Sequence, residues 1–173
     1  MEGNGGLPMV VLRHSCGATA SIYLYGACVA SWTQANGSEV LYVRPDAVFD
    51  GKKPISGGIP ICWPQFGPGA IQQHGFARNL TWEIASTSAD PNPDERDPEV
   101  ELVLTESEYT TAMWPRKFKV VYTIRLHGEE LQTEFRVINT DSQPLDFTGG
   151  LHSYFEARSL AARGVCTGWV RRR

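Results

Sequence analysis

The chain has 173 residues, 42% hydrophobic and 10% aromatic, which is enough to bury a core and too little for two comfortable domains. A formal net charge of −3 excludes a protein whose main task is to hold nucleic acid or an anionic membrane by bulk electrostatics. No apolar run approaches the roughly 20 residues that span a bilayer, so neither a membrane nor nucleic acid is expected as a partner.

Met1 to Pro8 has neither the charged-then-apolar pattern of a secretory leader nor the Arg- and Ser-rich bias of a transit peptide, so the expected location is the cytoplasm. The four cysteines, Cys16, Cys28, Cys62 and Cys166, form no C-x-x-C pair and read as reduced thiols. Ala20 to Tyr25 is the first clear strand signal. Gly and Pro are densest from Pro54 to Gly69, which predicts a conformationally fixed loop. Asn79-Leu80-Thr81 fits a glycosylation acceptor but, without a secretion signal, carries no weight. Ser86 to Pro98 is polar and broken by prolines, and is expected to be loop.

Val100 to Thr105 and Phe118 to Leu126 resume the strand pattern. Through His127-Gly128-Glu129-Glu130 the chain passes into Leu131 to Asn139, where Leu131, Thr133, Phe135 and Val137 share one face and Gln132, Glu134 and Arg136 the other. This predicts a hairpin with one wet face. Only Ala157 to Arg163 reads as a short helix, and Arg171 to Arg173 as a solvated tail. The class is all-β, an antiparallel sandwich or open barrel-like sheet, with no internal repeat.

The chemistry concentrates in Pro54-Ile55-Ser56-Gly57-Gly58-Ile59-Pro60-Ile61-Cys62-Trp63-Pro64-Gln65-Phe66-Gly67-Pro68 and the following Gln72-Gln73-His74-Gly75-Phe76-Ala77-Arg78-Asn79. Trp63 and Phe66 offer aromatic faces suited to the apolar side of a sugar ring. Gln73, His74 and Arg78 offer directional hydrogen bonds for hydroxyls or a phosphate. The competing reading puts Trp63 and Phe66 in the core, makes His74 a satisfied loop histidine and pairs Arg78 with an acid. His14 and His127 fall in no motif and read as surface or turn residues. With no H-E-x-x-H and no clustered Cys/His spacing, no metal site is expected.

P-I-x-G-G-I-P-x-C-x-P-Q-F-G followed by Q-H-G-F-A-R-N resembles the signature of the hexose-6-phosphate 1-epimerase branch of the aldose-epimerase family. The likeness extends through Leu41 to Gly51 and from Trp82 to Leu151-His152-Ser153-Tyr154-Phe155, covering about positions 8 to 155, and is greatest to plant and algal members. It implies a galactose-mutarotase-like antiparallel β-sandwich and interconversion of the α and β anomers of an aldohexose 6-phosphate, such as glucose 6-phosphate, with no cofactor. That reaction needs one group to take the anomeric hydroxyl proton and another to protonate the ring oxygen. His152 matches the family's catalytic histidine, the general acid, and an imidazole with an unperturbed pKa of about 6.5 suits that role. Gln73 and Arg78 match substrate-contacting positions, and His74 between them is expected to stabilise the opening ring as a second catalytic histidine.

Two departures qualify the resemblance. Many relatives carry arginine just before the Gly-Gly pair where this chain has Ser56, so Arg44 or Arg13 would have to hold the phosphate. After Phe155 the match loosens, and residues 156–173 read as a divergent tail of one partial domain spanning 1–173. The family's general-base glutamate and sugar-binding aspartate match no residue here. The expectation is therefore either a weakly active epimerase or a carbohydrate-binding or non-functional truncated form. Unpaired sheet edges would favour self-association.

Overall fold

A computed structural model describes residues 1–88 and 97–157. Most of the expected Ser86–Pro98 loop, most of the expected Ala157–Arg163 helix, Cys166 and the Arg171–Arg173 tail lie outside the described residues.

Among the described residues nine strands and one short α-helix follow in the order β1 (Met9–Arg13), β2 (Thr19–Tyr23), β3 (Cys28–Thr33), β4 (Ile61–Cys62), β5 (Glu83–Thr87), β6 (Glu99–Thr105), α1 (Glu108–Met113), β7 (Phe118–Leu126), β8 (Leu131–Asn139) and β9 (Gly150–Leu151). They form three antiparallel sheets, ordered β1-β2-β3, β4-β9 and β5-β6-β7-β8. The β7–β8 hairpin has the bounds expected of it, pairing Phe118 with Asn139 through Leu126 with Leu131. Two-residue alternation carries Val100, Leu102 and Leu104 of β6 and Phe118, Val120, Tyr122, Ile124 and Leu126 of β7 inward. There they meet Leu12, Ala20, Ile22 and Val29 of the three-stranded sheet in one hydrophobic cluster. Two sheets sharing one core make the sandwich.

The structure corrects three expectations. Ser86 and Thr87 are not loop but the end of β5, paired with Glu101 and Val100 of β6. A β-branched edge residue keeps pairing while its side chain stays wet, so polarity alone does not end a strand. The 108–113 segment is helical although no helix was expected there, because Ser107 and Thr110 cap it reciprocally: Ser107 Oγ accepts from the Thr110 amide (3.3 Å) and Thr110 Oγ1 from the Ser107 amide (2.8 Å). Trp63, expected as a candidate sugar platform, is fully buried. It packs edge-on against Phe76, Trp114 and Phe118 with ring centroids 5.7, 5.3 and 4.8 Å away. Here the competing core reading holds, because the indole fills the volume where the two-stranded and four-stranded sheets meet.

Candidate active site

Two sequence-distant segments meet through β4 and β9. Ile61 pairs with Leu151 and Cys62 with Gly150, and the ladder continues as the His152 amide donates to Pro60 O (2.9 Å) and the Tyr154 amide to Gly58 O (2.8 Å). This register draws the glycine-rich segment against the His-Ser-Tyr segment. Gly58 is needed at the crossing: its φ is +66°, and a β-carbon there would run into the Val29 carbonyl oxygen.

The predicted histidines lie together. The His74 and His152 rings are 5.8 Å apart between centroids and nearly perpendicular, at 79°. His152 also stacks on Tyr154 at 4.9 Å and 25°. Tyr154 was not singled out from sequence, although residues i and i+2 of an extended segment share a face, and that spacing was the signal that could have found it.

His74 is held in the left-handed region at φ +68°, with its amide donating to Gly67 O (3.0 Å) and the Gly67 amide donating to His74 Nδ1 (3.1 Å). A nitrogen that accepts a hydrogen bond carries no proton, so the neutral ring keeps its proton on Nε2. Burial, then the nearby Arg78 and His152 charges, hold the His74 pKa below the usual imidazole value. His74 is therefore a neutral hydrogen-bond donor near pH 7.

Arg78 sits in a 3-10 turn, Ala77–Asn79, and donates through Nη2 to the Gln73 carbonyl (2.9 Å). Among the described residues it makes no ion pair, and its buried Nε has no partner. The acid partner of the competing reading is absent from that set. The Gln73 side chain is exposed and makes no hydrogen bond among the described residues; only its backbone contributes to this arrangement. Phe66 is 52% exposed, with its ring 5.4 Å from that of His74, so it is the aromatic face that remains open.

The Arg44 amide donates to Ser56 O (3.0 Å), and its guanidinium forks onto Asp46 at 2.9 and 2.7 Å. The Tyr154 and Tyr42 phenols lie close enough to act on it electrostatically. Arg13 ends β1 opposite Thr19, in a different sheet from β4 and β9. No group of three or more potential metal ligands clusters among the described residues. No helix among them is long and apolar enough to cross a membrane.

Known proteins resemble this chain over most of its length. A family described as aldose 1-epimerase matches residues 8–164. A protein of Cenchrus ciliaris named "Putative glucose-6-phosphate 1-epimerase" is 42% identical over 158 residues, covering 87% of this chain and 47% of the relative. The crystal structure of a "putative mutarotase" from Salmonella typhimurium superposes with a TM-score of 0.74 at 33% identity, covering 86% of this chain and 48% of that one. A galactose mutarotase-like protein from Lactobacillus casei, at 23% identity and a TM-score of 0.68, shares the fold over 86% of this chain and 50% of its own. The chain spans about half the length of the curated relatives it matches.

Proposed function

The chain belongs to the aldose 1-epimerase family, and from that membership we propose that it takes part in interconverting the α and β anomers of an aldohexose 6-phosphate, glucose 6-phosphate being the leading candidate. The single observation that carries this reading is the meeting of His74 and His152 beside an open Phe66 and an Arg78 that makes no ion pair among the described residues.

In this reading His152 is the general acid that protonates the ring oxygen as the hemiacetal opens. Its stacking on Tyr154 fixes the plane in which the proton is delivered. His74, neutral with Nε2–H, donates a hydrogen bond to an oxygen that gains negative charge during opening and spends no proton of its own. Arg78 supplies the charge-assisted hydrogen bond to a hydroxyl or to the phosphate, Gln73 a further polar contact, and the Phe66 ring the apolar stacking face. Arg44, whose amide donates to Ser56 O, is the cation we assign to compensate for the arginine that many relatives carry at position 56; leaving Asp46 for a phosphate would cost it one exposed ion pair.

A second reading, sugar-phosphate binding without turnover, is favoured by one observation. Among the described residues no carboxylate hydrogen-bonds either site histidine. The rate of α-to-β exchange of glucose 6-phosphate, followed by NMR with wild type, His152→Ala and buffer alone, separates the two. Exchange above buffer that His152→Ala abolishes supports the epimerase. Equal rates with binding-induced shifts in the wild-type spectrum support the binding protein.

A further inference from the structure

The loop between Phe66 and Gly75 turns back on itself, and what holds it is the side chain of Gln65. The carboxamide nitrogen donates toward Gly67 O (3.2 Å) and Ile71 O (3.1 Å), with Gln72 O a weaker third acceptor at 3.4 Å, while the carboxamide oxygen accepts from the Ile71 amide (3.2 Å). Carbonyls surround the nitrogen and an amide meets the oxygen, so the orientation of the group is fixed by chemistry. Gly69 adds a second, independent sign that the carboxamide belongs there: a β-carbon at Gly69 would collide with the Gln65 amide atoms. The loop backbone is shaped around this side chain.

Gly67 is the pivot. Its carbonyl takes the Gln65 Nε2 donor and the His74 amide, and its own amide caps His74 Nδ1. Without Gln65, Gly67 keeps only its two hydrogen bonds with His74 itself, and a glycine in the left-handed region, at φ +76°, has many other conformations open to it. We propose that Gln65 is a positioning residue that selects the tautomer of His74: by clamping Gly67 and Ile71 it keeps Nδ1 capped and makes Nε2–H the hydrogen-bond donor offered to substrate. The inference rests on the reading of His74 as a substrate-facing group. It does not require that this chain turn substrate over.

Long-range proton–nitrogen NMR of histidine-labelled full-length chain at a pH above the His74 transition reads the tautomer directly. Wild type is expected to show His74 Nδ1 as the unprotonated nitrogen and Nε2 as the protonated one; the reverse overturns the proposal with no variant needed. Gln65→Leu keeps bulk and removes all four contacts. It is expected to move His74 to a mixture of tautomers while the His152 signals and the far-ultraviolet circular dichroism stay as in wild type, and to weaken glucose 6-phosphate binding roughly five- to tenfold, the scale of one neutral hydrogen bond. Gly69→Ala, which pushes the carboxamide out with Gln65 still present, is expected to give the same tautomer mixture. If both variants are folded and His74 keeps pure Nε2–H, Gln65 does not select the tautomer and the proposal fails. If the tautomer shifts as described while wild type binds no sugar phosphate, the functional reading fails and this inference stands.

Discussion

Replacing Arg78 by methionine keeps the apolar stem and removes the guanidinium. Arg78 Nη2 holds only the Gln73 carbonyl, and its buried Nε holds nothing among the described residues, so the fold loses one side chain-to-backbone hydrogen bond. The ligand would lose more. A hydrogen bond to a charged group contributes about 1.5–3 kcal/mol, and because Arg78 is only half-buried the middle of that range applies, about 2 kcal/mol or about 30-fold in Kd. Titrating glucose 6-phosphate and glucose separately by NMR tells which oxygen it grips: a loss confined to the phosphate ester assigns the phosphate, an equal loss for both assigns hydroxyls. His74 reports independently, since Arg78 is one cause of its low pKa and Arg78→Met should raise it. Unchanged affinity for both sugars together with an unchanged His74 titration would refute the placement of Arg78 in the site.

Trp63→Ala should cost about 3–5 kcal/mol in urea unfolding, whereas Trp63→Phe should cost well under half of that because it also deletes an indole N–H without a partner; a loss below about 1 kcal/mol for the alanine variant would remove Trp63 from the core. Ser107→Ala should lower stability by about 1 kcal/mol through loss of the α1 cap, with Ser107→Asp recovering most of it in the same assay. His127 predicts a pH dependence. Its Nδ1 meets Asp97 Oδ2 at 2.5 Å and its Nε2 meets Gln132 Oε1 at 3.1 Å, an atom that must be oxygen because Arg125 Nη1 also donates to it. The Gln132 hydrogen bond, then Asp97, raise the folded-state pKa. The resulting stabilisation is fully present below the unfolded value of about 6.5 and is lost as pH rises through the folded value. Facing the same ring are His14, whose Nε2 is 3.3 Å from Asp97 Oδ1, and Arg125, which is itself paired with Glu99. With about a third of the side chain exposed, the effect should stay under about 1 kcal/mol. The urea midpoint should fall between about pH 6 and pH 8 in wild type and stay flat in His127→Gln; parallel profiles would sink the assignment.

The β7–β8 hairpin was legible in sequence because its alternation runs through most of the nine residues on each side, broken only by Val121 and Ile138, and one face is buried, which fixes register. α1 was not, because its six residues are too few for a helical period and its cap uses Thr110 where the familiar signal is Glu or Gln. The site was legible as a motif and illegible as geometry. His74 and His152 were singled out from the residues around each, but their meeting depends on two-residue strands, β4 and β9, that no periodicity can reveal. Trp63 misled for a related reason: an aromatic in a Gly/Pro-rich loop looks exposed until the loop is known to cross the core. His14 and His127, read as turn residues without a motif, are turn residues that share Asp97, a contact across 83 and 30 positions that spacing does not encode.

One segment thus does two jobs that pull in opposite directions, and the way it alternates them accounts for its composition. Trp63 and Phe76 are buried without exposure and anchor the segment at both ends, while Phe66, His74 and Arg78 between and after them face outward or partly so. Between the anchors the chain must reverse in few residues, which is why His74 and the glycines beside it adopt positive φ. A left-handed histidine carries a conformational cost that a free loop would relieve. Here the Gly67 amide on one side and the buried anchors on the other leave it no such escape. Under the proposed function, rigidity of this kind would keep the proton donors in place while a sugar ring opens, rotates and closes. The same reasoning says where tolerance should lie: enlarging or shrinking Trp63 or Phe76 disturbs His74 from a distance, whereas exchanging the exposed Phe66 for tyrosine changes what a sugar meets without moving the frame that holds the histidines.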